Sequence, residues 1–67
     1  MKYCIMYDDI TGEYKYKVSP SFKEAMHWAR YHAIKTYNHI FVYALRKDGS
    51  SGDGQWTIDP WGNAEYN

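Results

Sequence analysis

The sequence predicts an α+β domain of order ββαββ, and three features of its pattern lead there. Two early segments, Lys2 to Asp8 and Glu13 to Val18, alternate their side chains with the two-residue period of a strand. A central segment from Phe22 to Thr36 repeats its apolar residues at three- and four-residue spacing, the period of a helix. Strand-like segments then return at His39 to Arg46 and Gln55 to Asp59, separated by the glycine-rich run KDGSSGDG.

In the first strand Tyr3, Ile5 and Tyr7 share one face, and Cys4 and Met6 share the other. Apolar groups on both faces suit an interior strand. Asp8-Asp9-Ile10-Thr11-Gly12 supplies turn chemistry, with Gly12 free to take a positive φ. The second strand puts Tyr14, Tyr16 and Val18 on one face and Glu13, Lys15 and Lys17 on the other. An all-charged face marks an edge strand guarded against pairing.

Ser19-Pro20-Ser21 opens the helix. Either Ser21 caps it, with Glu24 completing a capping box, or Ser19 caps and Pro20 takes the first helical position. Phe22, Ala25, Met26, Ala29, Ala33 and Thr36 form the buried stripe, whose small centre lets the helix lie close on a sheet of bulky residues. Tyr37-Asn38 ends it, with Asn38 suited to the left-handed cap. His39 to Arg46 carries apolar residues on both faces and is central; Lys47 to Gly54 is a mobile loop; Trp56 and Ile58 point inward from the last strand. A helix crossing over the first strand gives a four-stranded antiparallel sheet of order 2-1-3-4 with the helix on one face. Residues 1–60 form the domain, and 61–67 after Pro60 form a tail.

Which face the helix covers has two solutions. In the favoured one Ile5, Tyr14, Tyr16 and Val18 meet the helix, leaving Cys4, Met6, Lys15 and Lys17 outward. In the other, the tyrosines are exposed as a platform on which bases can stack.

Thirteen of the 67 residues are aromatic, against five Ile, two Val and one Leu. A core of this size cannot take every ring, so several remain outside, where Tyr and Trp are the residues most enriched in binding hot spots. On the helix, Trp28 and Tyr31 fall about 120° and 180° from Phe22, off the buried stripe. With Glu24 and Lys35 around them they form the expected partner-binding group; the competing reading has Trp28 covering the sheet edge or folding over the C-terminal tail. A third patch holds Trp56, Trp61 and Tyr66, with Trp61 either folded onto the sheet or anchoring a partner.

Composition narrows the function. Eight Lys plus Arg balance eight Asp plus Glu, so the chain lacks the field of a dedicated nucleic-acid binder. Cys4 is the single cysteine, which excludes an internal disulfide and a zinc framework and reads as a small hydrophobe. His27 and His32 point about 140° apart on the helix and cannot share a metal. Asp8-Asp9 are neighbours in a turn rather than a catalytic dyad. Ser50-Ser51 lie in a loop unsuited to a nucleophile, and GSSGDG lacks the Lys-Ser/Thr of a phosphate loop. The expectation is a non-enzyme with no metal or cofactor. No apolar run reaches membrane-spanning length, and the first strand is no signal peptide, so a cytoplasmic, reducing compartment is expected.

The layout, in which a strand hairpin runs into Ser21-Phe22-Lys23-Glu24-Ala25-Met26-His27-Trp28-Ala29, then a strand and a glycine-rich hairpin with Trp56, resembles small phage and mobile-element anti-defence proteins of the anti-CRISPR kind. The resemblance lies in size, layout and composition. It implies an inhibitor that occupies a functional surface of a host defence complex, in the host cytoplasm. The same hairpin and helix start are similar to AP2-like and integrase arm-type DNA-binding domains, although those place three strands before the helix in a basic chain. That resemblance implies a nucleic-acid-binding alternative using Lys15 and Lys17, with Lys2. A homodimer formed through an edge strand or the aromatic flank stands beside both.

Overall fold

The computed structural model describes residues 2–8 and 11–67, without the side chain of Asp53. Asp9 and Ile10, and with them the paired Asp8-Asp9 reading and the centre of the first turn, lie outside the described residues. The elements run β1 (Lys2–Asp8), β2 (Tyr14–Ser19), α1 (Phe22–Thr36), β3 (Ile40–Leu45), β4 (Ser51–Ile58) and β5 (Ala64–Tyr66). They form an α+β fold with one helix on one face of an antiparallel sheet.

The sheet has five strands in the order β2-β1-β3-β4-β5, which corrects the expected four. The segment 61–67, expected as a tail, supplies the fifth. Asp59-Pro60-Trp61-Gly62-Asn63 is a tight turn: the Asp59 carboxylate accepts the N–H groups of Trp61 at 3.0 Å and Asn63 at 2.9 Å, and Gly62 N–H donates to the Asp59 carbonyl at 3.0 Å. The Asn63 N–H, with that of Trp61 and the nearby charge of His39 adding, holds the Asp59 carboxyl below the usual carboxylate range. The turn returns the chain so that Tyr66 lies opposite Trp56. A strand of three residues is too short to show a period, which is why the pattern missed it.

The loop between β3 and β4 is shorter than the predicted Lys47–Gly54 run. Ser51 to Gly54 belong to β4, where Gly52 to Gly54 stand against the single residue Ala44 as a bulge. A Cβ on Gly54 would sit 2.7 Å from the Trp56 ring, so a larger residue here would have to displace that ring.

Ser21 is the helix cap, with extended backbone and its hydroxyl accepting the Glu24 N–H at 3.4 Å. Ser19 is left behind it, buried, donating its hydroxyl to the Ser21 carbonyl at 3.2 Å. At the other end Tyr37, not Asn38, takes the left-handed conformation, with φ 58° and its N–H on the Ala33 carbonyl. A non-glycine residue there costs roughly 1 kcal/mol per residue.

The core lies between helix and sheet. Ala25, Met26, Ala29 and Ala33 from α1 meet Ile5, Ile40, Val42 and Ile58, all fully or almost fully buried. Three alanines on the helix allow the close approach that the sequence suggested. Tyr3, Tyr7, Trp28 and Trp56 pack around this centre and close its margins.

The favoured choice of sheet face is overturned. Facing residues of an antiparallel pair share a side, and Ile5 faces Lys17 while Met6 faces Tyr16. Burying Ile5 under the helix therefore brings Lys15, Lys17 and Ser19 to the helix side and turns Tyr14, Tyr16 and Val18 outward. The pairing register decides it: Asp8 pairs with Tyr14, fixing which residues of β2 share a side with Ile5.

Candidate functional site

Two groups of side chains surround the helix, and a third lies on the opposite side of the sheet. Beside β1 and β2, Trp28 is half-buried. It stacks on His32 at 4.7 Å with the planes 8° apart, and meets Tyr7 edge-on at 4.7 Å. The Lys17 ammonium sits 5.5 Å over the Trp28 ring, and His32 Nε2 lies 3.4 Å from the Asp8 carbonyl. Trp28 thus covers the edge of the sheet, the competing reading of its place, and is held by the fold. Tyr31 points outward with the Lys35 ammonium 5.6 Å from its ring, and Glu24 is also exposed in the first turn. The expected group of four is therefore divided between a packed Trp28 and an exposed Tyr31, Glu24 and Lys35.

The predicted C-terminal patch is divided too. Trp56 gathers Phe22 at 4.9 Å, Tyr66 at 5.3 Å and Tyr3 at 6.3 Å into one cluster that seals the far margin of the core. Trp61 leaves it and meets Tyr37 edge-on at 5.9 Å, at the C-terminal end of the helix. Both rings are largely in solvent, Tyr37 67% and Trp61 69% exposed. Ile34 joins them through Gly62, whose carbonyl accepts from Arg30 Nε at 3.2 Å.

The uncovered sheet face is the larger surface. Its rows follow from the register. One row runs Tyr16, Met6, Phe41, Thr57, Glu65 across all five strands; the next runs Val18, Cys4, Tyr43, Gln55. Tyr14 beside Asp8 extends it at one end, and Leu45 beside Lys2 at the other. Tyr14 and Tyr16 are 64% and 63% exposed, and Val18 is exposed beside them. Met6, Phe41, Tyr43 and Leu45 are half-buried among their neighbours, and Cys4 is buried beneath them. The rows are apolar over β2, β1 and β3 and become polar at Thr57, Gln55 and Glu65. Hydrogen bonding to Cys4, aided by burial, pushes the Tyr43 phenol up to about 12.

The three lysines of the nucleic-acid alternative are not brought together. Lys2 lies at the corner of the open face, whereas Lys15 and Lys17 lie on the helix side. Around Lys17 an open cleft of about 780 Å³ runs between β2 and the first half of α1, with Ile5 and Trp28 inside and Lys23, Glu24 and His27 on its rim. Among the described residues no three His, Cys, Asp or Glu side chains gather as a metal site, and no helix is long and apolar enough to cross a membrane. What sequence reasoning missed was the joining of Met6, Phe41 and Tyr16 into one row. The alternation in each strand was visible, but the register that aligns the strands was not.

Comparison with protein-family models, with curated proteins and with solved structures finds no match for this chain.

Proposed function

We propose that this chain is a non-enzymatic module that binds another protein against its uncovered sheet face. The observation that carries the reading is the row Tyr16–Met6–Phe41 with Tyr14 and Val18 beside it, apolar and left open by the single helix. Covering such a surface is favourable by about 25 cal/mol per Å² of apolar area removed from water. Rigid tyrosines lose little rotamer freedom on binding, which makes them effective anchors. The strands hold them in place before a partner arrives, so little ordering remains to oppose association.

The form this takes, from the resemblance to anti-defence proteins, is an inhibitor that occupies a functional surface of a host complex in the host cytoplasm. The outward helix residues Tyr31, Glu24 and Lys35 are a second surface for the same kind of partner. Tyr31 is the weaker anchor of the two sets, because Lys35 already lies over its ring.

One observation supports a nucleic-acid reading: exposed tyrosines on an open sheet are also a stacking platform. Phosphate contacts would have to come from cations on the same side, and there Lys2, Arg46 and Lys47 gather around Val18 and Leu45 at one corner. Since the chain as a whole carries no net charge to draw a polyanion, protein is the partner we favour.

The test is affinity capture from a host lysate under nuclease treatment, run in parallel with wild type and a Tyr14→Ser, Tyr16→Ser variant. A protein held by wild type and released by the variant supports the reading. Recovery of nucleic acid alone, or a protein held equally by both, contradicts it.

A further inference from the structure

We infer that the outer edge of β2 accepts an extended segment of a partner protein in which acidic and apolar residues alternate. This rests on the proposed protein-binding function and names the chemistry of the partner. β2 is the first strand of the sheet, paired with β1 and with no other described strand. An added strand places each of its residues on the same side as the β2 residue opposite it, and such cross-strand pairs decide which sequences fit. On the helix side β2 offers Lys15 and Lys17; on the open side it offers Tyr14, Tyr16 and Val18. The complement is a strand with Asp or Glu facing the lysines and apolar side chains facing the tyrosines. Its apolar residues continue the Tyr16–Met6–Phe41 row outward by one strand.

The cleft between β2 and α1 strengthens the acidic half of this pattern. Lys17, Lys23 and Arg30 line it against the single carboxylate of Glu24. Acidic side chains from an added strand point toward this side of the sheet, where the cations attract them. The Lys17 ammonium lies 5.5 Å over the Trp28 ring on this side of the sheet, and Lys17 remains exposed to an incoming carboxylate.

The chain's own strands do not meet the requirement. A second copy of β2, added antiparallel with both helices on one side, sets Lys15 against Lys17 or Lys17 against itself in the two registers that pair five of its six residues, and like charges directly opposite are destabilising. β5 of a second copy brings one acidic residue, Glu65, flanked by Ala64 and Tyr66, and cannot face two lysines. The occupant is therefore a segment of a different protein.

Fluorescence anisotropy with synthetic peptides tests this. The probe is a labelled peptide alternating Val and Glu; the controls are the same peptide with Lys for Glu, and one of identical composition with all its Glu residues in one block. At low salt the alternating acidic peptide is expected to bind at least about tenfold more tightly than either control. The double substitution K15E/K17E, at exposed positions and checked for folding by circular dichroism, is expected to reverse the preference toward the Lys peptide. Amide shifts should centre on residues 14–19. Equal binding of alternating and blocked peptides, an unchanged preference in K15E/K17E, or no binding of any peptide overturns the inference. A captured protein partner separates this from the broader reading. If K15E/K17E holds that partner as tightly as wild type while Tyr16→Ser releases it, the sheet face is the site and the edge is not.

Discussion

The uncovered sheet face and the C-terminal end of the helix both leave aromatic rings in solvent, but they hold them by different means. On the sheet, Tyr14, Tyr16, Phe41 and Tyr43 stand in rows fixed by the backbone pairing of β2, β1 and β3. At the helix end, Tyr37 is displayed by a left-handed cap and Trp61 by a turn that depends on one carboxylate. The sheet face uses strands that also build the core, since Ile5 and Val42 alternate with Met6 and Phe41 along the same two strands. The helix end uses connections. The backbone that displays a surface written into core strands persists as long as the fold does; the backbone of one written into connections can be altered while the fold remains.

The largest change is the one that removes both surfaces together. Ala29 is fully buried where helix and sheet approach, so Ala29→Leu should force them apart, at about 1–3 kcal/mol. In a domain of this size that lowers the melting temperature by roughly 5–20 °C. Calorimetry would show it, and an unchanged melting temperature would mean that the interior has spare room.

Single substitutions then separate the two surfaces. Tyr16→Ser should change stability by less than about 1 kcal/mol, since the ring is mostly in solvent, while weakening partner binding by about tenfold or more. Tyr37→Gly should relieve the left-handed strain and, after loss of the Trp61 contact, leave stability equal or higher by up to about 1 kcal/mol. Binding at the sheet face should be untouched. Tyr31→Ala should leave the melting temperature unchanged and reduce binding little. A tenfold loss at Tyr31 with none at Tyr16 would transfer the site to the helix.

How much of this was legible in the sequence differs between the two regions for a physical reason. Strand alternation, the alanine stripe of α1 and the Ser21 cap are local patterns, and each led to its element. Whether Tyr16 faces the helix depends on how β2 aligns with β1, which one residue of turn length would reverse. Nothing local in Glu13 to Val18 records that offset. Buried apolar area favoured tyrosines under the helix, but three buried alanines bring the helix too close to the sheet to leave depth for them, and Ile5 fills the place. At the other region, Asp59-Pro60-Trp61-Gly62 carried recognisable turn residues, yet the three-residue strand after it had no period to read. Trp28 was readable as an aromatic off the buried stripe; its stacking on His32 beside Tyr7 required the helix to be placed first.

The smallest effect concerns the turn that carries Trp61. The carboxyl of Asp59 is lowered in the folded chain, so its contribution is complete above the ordinary carboxylate range and fades as pH falls through the lowered value. Exchange of the Asn67 amide, which donates to the Gln55 carbonyl at 2.9 Å beside β5, should therefore stay slow from neutral pH to about pH 4 and accelerate relative to the β3 amides below it. Asp59→Asn should remove that acid-dependent step while Tyr14, Tyr16 and Phe41 keep their solvent exposure. Asp48, lowered by the hydroxyl and N–H of Ser50, gives a similar acid step in the β3–β4 turn and serves as the internal comparison.

Hydroxyl-radical footprinting of the captured complex reads side-chain access at both surfaces in one experiment. Binding at the sheet face should protect Met6, Tyr14, Tyr16 and Phe41 while Tyr31, Tyr37 and Trp61 react as they do in the free protein. Protection of Tyr37 and Trp61, with Tyr14 and Tyr16 as reactive as before, would contradict it.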